Sequence, residues 1–321
     1  MSYIVFDLEW NQPVENGHHN KRALAFEIIE IGAVKLNDKF EILGSFDEFI
    51  KPVVYKKLNW HTKSMLNVTM KDLEKGRMFS KVARDFLSWC GDAPVFCSWG
   101  NQDLTELQRN MAYYGMRPLS DSTIAFYDIQ KIYSEYINED RAYNLETAVD
   151  NLEIEKDTPF HRAYGDAYYT AKIMAKLLKN NKKLIKFGKT YDLYILPKNE
   201  KSIIYDFNGK CSYMLSCPYE DRDQLKANKK ITGMTCPKCN NMPLRPKIRW
   251  FSSNNRNYYG AAVCLVHGPI KGLLRFKHNE SCGYYLEKIM TYTDENGIEE
   301  IRNRKKNLSK KNKTEDNQNK K

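Results

Sequence analysis

The chain has 321 residues, 42% of them hydrophobic, and a formal net charge of +11. Its length suggests about two domains, and the lack of any apolar run of about 18 residues excludes a membrane-spanning helix. Residues 1–190 hold 26 basic and 26 acidic side chains, so the whole surplus of +11 belongs to residues 191–321. A basic region joined to a neutral one points to an anionic polymer as partner, held through its phosphates. The N-terminus passes straight into a strand, unlike a cleaved signal peptide, so a cytoplasmic location is the expectation. In that setting eight Cys argue for metal ligands or thiols rather than disulfides.

Taken in chain order, Tyr3–Leu8 is the first predicted strand, apolar and rich in β-formers. Asp7 and Glu9 lie two apart in it and therefore share a face. Burying two like charges is costly unless something pairs them, and a hard dication such as Mg²⁺ or Mn²⁺ suits two carboxylates; a solvated strand end is the alternative. Trp10 and Asn11 follow, and Trp10 either stacks on a base or closes the core. The loop Gln12–Arg22 is polar and expected to be mobile. Strands are predicted at Glu27–Leu36, turning at Asn37-Asp38, and at Ile42–Ile50 and Pro94–Ser98. Helices are predicted at Ser80–Cys90, Leu104–Tyr114, Asp128–Tyr136, Asn144–Leu152 and Asp166–Leu178. Asp103 falls in the first turn after a Gly-Asn turn, where an acid also suits the helix dipole. His161 stands five residues before Asp166, across a loop-to-helix junction. Cys90 and Cys97 read as buried thiols.

The second region holds six of the eight Cys. Cys236-Pro237-Lys238-Cys239 is a C-x₂-C knuckle and Cys264-Leu265-Val266-His267 a C-x₂-H partner. Between them Arg249-Trp250-Phe251 and Asn257-Tyr258-Tyr259 read as strands around a polar turn. The set predicts one structural Zn²⁺ held by Cys236, Cys239, Cys264 and His267. Cys211, Cys217, His278 and Cys282 leave a second metal site open. Arg249, Trp250, Lys271 and Arg275 are the candidate nucleic-acid contacts of this region. The Lys- and Asn-rich tail is expected to be disordered.

Asp7 with Glu9, then Asp103, then His161 with Asp166, resemble in order the three motifs of the DEDDh 3′→5′ exonucleases, a ribonuclease H-like family that includes RNase T and proofreading subunits. The resemblance covers roughly residues 1–185. It departs from the family pattern after the Asp-x-Glu, where Trp10-Asn11 replaces the usual Thr and small residue. It implies an α/β fold, a ribonuclease H-like mixed sheet flanked by helices, followed here by a small zinc-binding β module. It also implies phosphodiester hydrolysis with two Mg²⁺ or Mn²⁺ ions, which stabilise attacking and leaving oxygens together. Asp7 would bridge the ions, Glu9 and Asp166 would hold the one near the attacking water, Asp103 would support the second, and His161 would be the general base. The implied partner is single-stranded nucleic acid, RNA favoured. A DNA repair or proofreading-like exonuclease and a non-catalytic binding protein are the alternatives. The domains read as 1–185 exonuclease, 186–205 linker, 206–295 Cys-rich basic module and 296–321 tail.

Overall fold

A computed structural model of the protein describes residues 2–14, 24–66, 68–139, 141–198, 204–207, 211–239, 242–279 and 282–318. Most of the predicted loop Gln12–Arg22 lies outside them. The chain divides into two compact units, Met1–Ile195 and Leu196–Lys321.

The first unit runs β1 (Ser2–Asn11), β2 (Glu27–Leu36), β3 (Ile42–Phe49), α1 (Trp60–Leu66), α2 (Met70–Glu74), α3 (Phe79–Cys90), β4 (Pro94–Ser98), α4 (Asp103–Tyr113), β5 (Ala125–Asp128), α5 (Ile129–Tyr136), α6 (Leu145–Asn151), α7 (Ala163–Lys179), α8 (Ile185–Gly188) and β6 (Lys189–Tyr191). The strands form one mixed sheet in the order β3-β2-β1-β4-β5-β6. β1 is central, antiparallel to β2 and parallel to β4. Alternation along β1 divides the core. Ile4, Phe6 and Leu8 enter a cluster with α3 and α4 residues such as Phe86 and Leu107. Val5, on the other face, packs with Tyr169, Ile173 and Met174 of α7 and Ile132 of α5. Asp7 and Glu9 share Val5's face, so they look toward α7. Burying such aliphatic and aromatic side chains contributes roughly 1.5–3 kcal/mol each, which over-determines the register of β1.

The segment expected to begin a linker instead completes this unit. β6 pairs antiparallel with β5. Asp192, 1% exposed, anchors it by accepting hydrogen bonds from the Ile124 and Tyr194 N–H groups and from Gln108 Nε2. A buried carboxylate with three donors is held in place, and a composition-based reading of a Lys-rich stretch does not register it.

The second unit runs β7 (Ile204–Phe207), β8 (Cys211–Leu215), α9 (Arg222–Ala227), α10 (Lys229–Thr232), β9 (Thr235–Cys236), β10 (Met242–Pro243), β11 (Pro246–Phe251), β12 (Asn257–Cys264), β13 (Gly268–Asn279), β14 (Gly283–Tyr292) and α11 (Glu295–Gln318). Its main sheet has the order β11-β12-β13-β14-β8-β7, antiparallel throughout. The hairpin between the two knuckles is therefore part of a six-stranded sheet, larger than a ribbon. The tail is a correction as well. From Glu295 the chain is helical to Gln318. Ile298 and Ile301 are buried against Ile248 and Ala261, so two apolar residues one helical turn apart dock a helix that is otherwise mostly polar.

Candidate active site and metal centre

α4 and α7 converge on the C-terminal end of β1. β4 accompanies β1 only from Ser2 to Val5 in the pairing Ser2↔Pro94 to Val5↔Cys97. Beyond it the β1 edge is taken over by α4, whose first residue, Asp103, accepts the Leu8 N–H at 3.2 Å through Oδ1. The turn into α4 needs Gly100, at φ 105°, and the Gly100 N–H donates to Asp128 Oδ1. On the other side α7 lies directly on β2. A Cβ at Gly32 would stand 2.0 Å from the Tyr164 nitrogen and 2.1 Å from the Ala163 carbonyl carbon, so only glycine lets the helix approach. Gly32 is the cross-strand partner of Asp7, which puts the first turn of α7, with Asp166, over the acids of β1.

Asp7, Glu9 and Asp166 each offer an oxygen, and these atoms lie within 4.8 Å of one another. Asp103 is buried at 6% exposure. Desolvation, and then the neighbouring carboxylates, drive Asp7 well above its ordinary range and Glu9 to about 9, while desolvation takes Asp103 to about 7 against the backbone N–H groups it accepts. Asp166 rises to about 6 through desolvation, opposed by His161. The protein has therefore assembled a set of hard oxygen donors whose charges repel, the donor chemistry that fits Mg²⁺ or Mn²⁺. His161 is exposed, sits at φ 58° in the left-handed region, and donates its N–H to Asp166 Oδ1 at 3.3 Å.

Sequence reasoning missed an ion pair beside this site. Glu30 is the cross-strand partner of Glu9 and is 1% exposed. Arg162 grips it through Nε at 3.0 and 3.1 Å and Nη2 at 2.7 Å, with its guanidinium 4.7 Å from the Phe49 ring. This bidentate pair ties the His161 loop to β2, and Arg162 offsets part of the repulsion that Glu30 adds to Asp7 and Glu9. The signal was present: an acid in the middle of the apolar run Glu27–Leu36, and an arginine next to His161.

The expected substrate contacts divide. Asn11 is fully buried and serves the fold. Its Nδ2 donates to the Lys57 carbonyl and its Oδ1 accepts the Asn59 N–H. Trp10 is half-buried, packed on the core with its ring 5.4 Å from Phe26, which favours the core reading over stacking. Trp250 is likewise partly buried and packs on the core of its unit. Its ring covers Gly260 and Gly272, where a Cβ would stand 2.8 and 2.5 Å from ring atoms, and its Nε1 donates to the Thr232 carbonyl at 2.8 Å. Lys271 and Arg275 project from the opposite face of β13, so Trp250 cannot share a surface with them. Arg275 also pairs with buried Glu287 at 3.7 Å. Arg249 is exposed.

In the second unit Cys236, Cys239, Cys264 and His267 place their ligand atoms within 4.8 Å of one another. Cys239 Sγ and Cys264 Sγ are 3.7 Å apart, and His267 Nδ1 lies 3.4, 3.2 and 3.7 Å from the sulfurs of Cys236, Cys239 and Cys264. Zn–S bonds of about 2.3 Å at tetrahedral angles require S···S edges of about 3.8 Å, and the Cys239–Cys264 separation is close to that edge. Burial opposes ionisation of Cys264, yet the His267 and Val266 N–H groups and its neighbours bring its thiol down to about 6. Tyr292 OH lies 3.0 Å from Cys236 Sγ and accepts the Lys238 N–H, bracing the first knuckle. Among the described residues Cys211, Cys217, His278 and Cys282 form no comparable group. Cys90 and Cys97 are buried, and desolvation pushes Cys90 up to about 12 and Cys97 further.

Known proteins resemble part of this chain. It is 28% identical over 113 residues to the probable 3′-5′ exonuclease KapD of Bacillus subtilis (strain 168), a match over 35% of this chain and 54% of that protein. It is 27% identical over 164 residues to a PolC-type DNA polymerase III of Thermotoga petrophila, over 49% of this chain and 11% of the polymerase. The chain thus spans about half the length of one relative and about a tenth of the other. Among solved structures, a 3′-exonuclease recognising a histone mRNA stem-loop has a TM-score of 0.48 at 18% identity, covering 56% of this chain and 64% of that one. Exonuclease I has a TM-score of 0.48 at 16% identity, covering 81% of this chain and 55% of that one. The family model described as Exonuclease, of the RNase T type, matches residues 4–174, more than half of the chain, and the chain belongs to that family.

Proposed function

We propose that the protein is a 3′→5′ exonuclease, dependent on Mg²⁺ or Mn²⁺, that releases nucleoside 5′-monophosphates from single-stranded 3′ ends. The observation that carries this reading is the convergence of Asp7, Glu9 and Asp166 oxygens within 4.8 Å, with Asp103 on the same strand end. When bound, two such ions supply Lewis-acid stabilisation of the phosphoryl oxygens and activate the attacking water. Asp7, Glu9, Asp166 and Asp103 hold them. His161, exposed at the start of α7, accepts the proton of the attacking water, and its left-handed backbone is the kind of strain retained at working sites. Membership of the exonuclease family and the likeness to a probable 3′-5′ exonuclease support the reaction class.

RNA is the favoured polymer, by analogy with family members that carry appended basic modules. The likeness to a PolC-type DNA polymerase III favours a second reading, a DNA exonuclease of the proofreading kind. The Cys₃His group of the second unit holds a structural Zn²⁺, and this basic unit adds affinity for nucleic acid without taking part in the chemistry. Among the described residues no helix is long and apolar enough to cross a membrane, and the cytoplasm is the proposed location. The purified protein should shorten 3′-extended, 5′-labelled oligonucleotides one nucleotide at a time in Mg²⁺ or Mn²⁺. No digestion with either ion, or equal digestion by Asp166→Ala, refutes the reading. Comparing kcat/KM on matched RNA and DNA separates the two polymers, because only RNA offers a 2′-OH.

A further inference from the structure

One concave surface lies wholly within the C-terminal unit, where the end of β13 meets the start of β14. A cleft of about 560 Å³ opens there, lined by Arg222, Arg256, Phe276, Lys277, His278 and Tyr284 together with the Asn254–Asn255 turn. That volume falls within the range of about 300–1,000 Å³ usual for ligand sites. Its described lining carries three cationic side chains and an imidazole, and no carboxylate. Lys277 is partly neutralised, since it shares the buried Glu287 with Arg275. Arg256 and His278 are exposed, and Arg256 makes no ion pair among the described residues.

The cleft is braced rather than improvised by a loose loop. Asn254 Oδ1 accepts the N–H groups of Arg256 and Asn257, both at 3.0 Å. Asn255, at φ 55°, forms the tip. Its carbonyl accepts from Arg222, and its Oδ1 accepts from Tyr258 OH at 3.1 Å. The Phe276 N–H donates to the Arg256 carbonyl at 2.8 Å, which fixes the turn to β13. The Arg222 guanidinium sits 5.1 Å from the Phe276 ring, and the His278 and Tyr284 rings lie 4.6 Å apart, tilted. Fixed cations beside aromatic faces suit a phosphodiester chain with bases to stack. An acidic peptide would satisfy the cations and leave the rings without a planar partner.

We propose that this cleft binds a single-stranded segment of nucleic acid, with a base against His278 and Tyr284 and flanking phosphates on Arg222 and Arg256. The choice of ligand rests on the exonuclease reading; the cleft itself does not. The full-length protein is titrated with a fluorescent single strand of about 20 nucleotides, without added divalent metal or chelator, so that hydrolysis is not needed and the Cys₃His group is left alone. Arg256→Ala/His278→Ala should bind roughly 5–20-fold more weakly, and its salt dependence should flatten by about 0.7 in log–log slope for the lost phosphate contact. Dinucleotide hydrolysis in Mg²⁺ should be unchanged. In the wild type, a photoreactive thiouridine in the strand should cross-link to Tyr284 or His278, which tests the site even if the variant folds badly. Unchanged affinity with no such cross-link overturns the proposal. So does a Glu-rich peptide of equal charge that displaces the strand as well as unlabelled oligonucleotide does. Loss of all hydrolysis with binding intact would count against the exonuclease reading alone.

Discussion

The two candidate metal centres, one in each unit, are built on opposite plans. The Cys₃His group comes from two knuckles close in sequence and is already shaped, its Cys239–Cys264 separation close to a tetrahedral edge. The carboxylate group draws on β1, α4 and α7, residues 7 to 166, and its members repel one another. A closed, soft-donor cage stabilises a fold, whereas an open, hard-donor cluster held together by the surrounding core suits ions that must keep positions for water and substrate. The contrast teaches that a metal bound by the Cys₃His group would help to make the structure of its unit, whereas in the other unit the structure makes the candidate metal site.

The largest expected effect tests the first half of that contrast. Structural zinc contributes roughly 10–16 kcal/mol of apparent binding free energy, so Cys236→Ser should lose stoichiometric zinc and lower the melting of the second unit, while dinucleotide hydrolysis persists. Elemental analysis and calorimetry check this; a zinc-free wild type would erase the distinction. In the carboxylate cluster, Asp7→Ala should cut kcat by roughly 10²–10³-fold or more, the scale on which transition-state charge stabilisation is lost, yet leave the circular dichroism spectrum intact. A variant retaining a tenth of the activity would move the chemistry elsewhere.

Next comes the scaffold of that cluster. Glu30→Gln should destabilise by about 2–3 kcal/mol, less than the loss of a fully buried pair because Arg162 remains partly exposed. Arg162→Gln added to it should cost little more, and urea titrations of the double-mutant cycle would reveal independent effects if the pair is not a unit. Gly32→Ala should cost about 1–3 kcal/mol and reduce kcat as well, because its Cβ meets the backbone of α7. Stability lost with turnover unchanged would mean that the seat of α7 does not set the position of Asp166.

The smallest effect is a pH dependence. Glu9 rises from an ordinary 4.5 to about 9, Asp103 from 3.8 to about 7 and Asp166 from 3.8 to about 6. Raised native values mean that the folded protein binds these protons more tightly than the unfolded chain. Without added Mg²⁺, stability should therefore fall as pH climbs from about 4 toward 9. Mg²⁺ replaces the lost protons, so it should raise the melting temperature by a few degrees more at pH 8 than at pH 6, at roughly 2–4 °C per kcal/mol. An equal or smaller shift at pH 8 in differential scanning fluorimetry would contradict the crowding of charge described for this site.

Much of this was legible in the order of residues. Tyr3–Leu8, Glu27–Leu36 and Pro94–Ser98 announce themselves by β-branched and aromatic runs, and the structure places strands there. The spacing of Asp7 and Glu9 fixes a shared face because a strand has period two, and the Cys236/Cys239 and Cys264/His267 knuckles are local enough to read directly. Such signals depend on neighbours along the chain. Other features do not. Asp192 reads as one more polar residue near a Lys-rich stretch until Ile124, Tyr194 and Gln108 surround it. Trp250 reads as a stacking platform until two glycines on adjacent strands make room for it inside. Ile298 and Ile301 turn the start of an apparent tail into a docked helix. Glu30 and Arg162 stand 132 positions apart, and only the seating of α7 on Gly32 brings them beside Glu9. The sequence alone determined which side chains have chemistry to offer and which face of a local element they occupy. Tertiary packing decided which of them are buried, paired or left open, because burial and pairing depend on distances that the linear order does not contain.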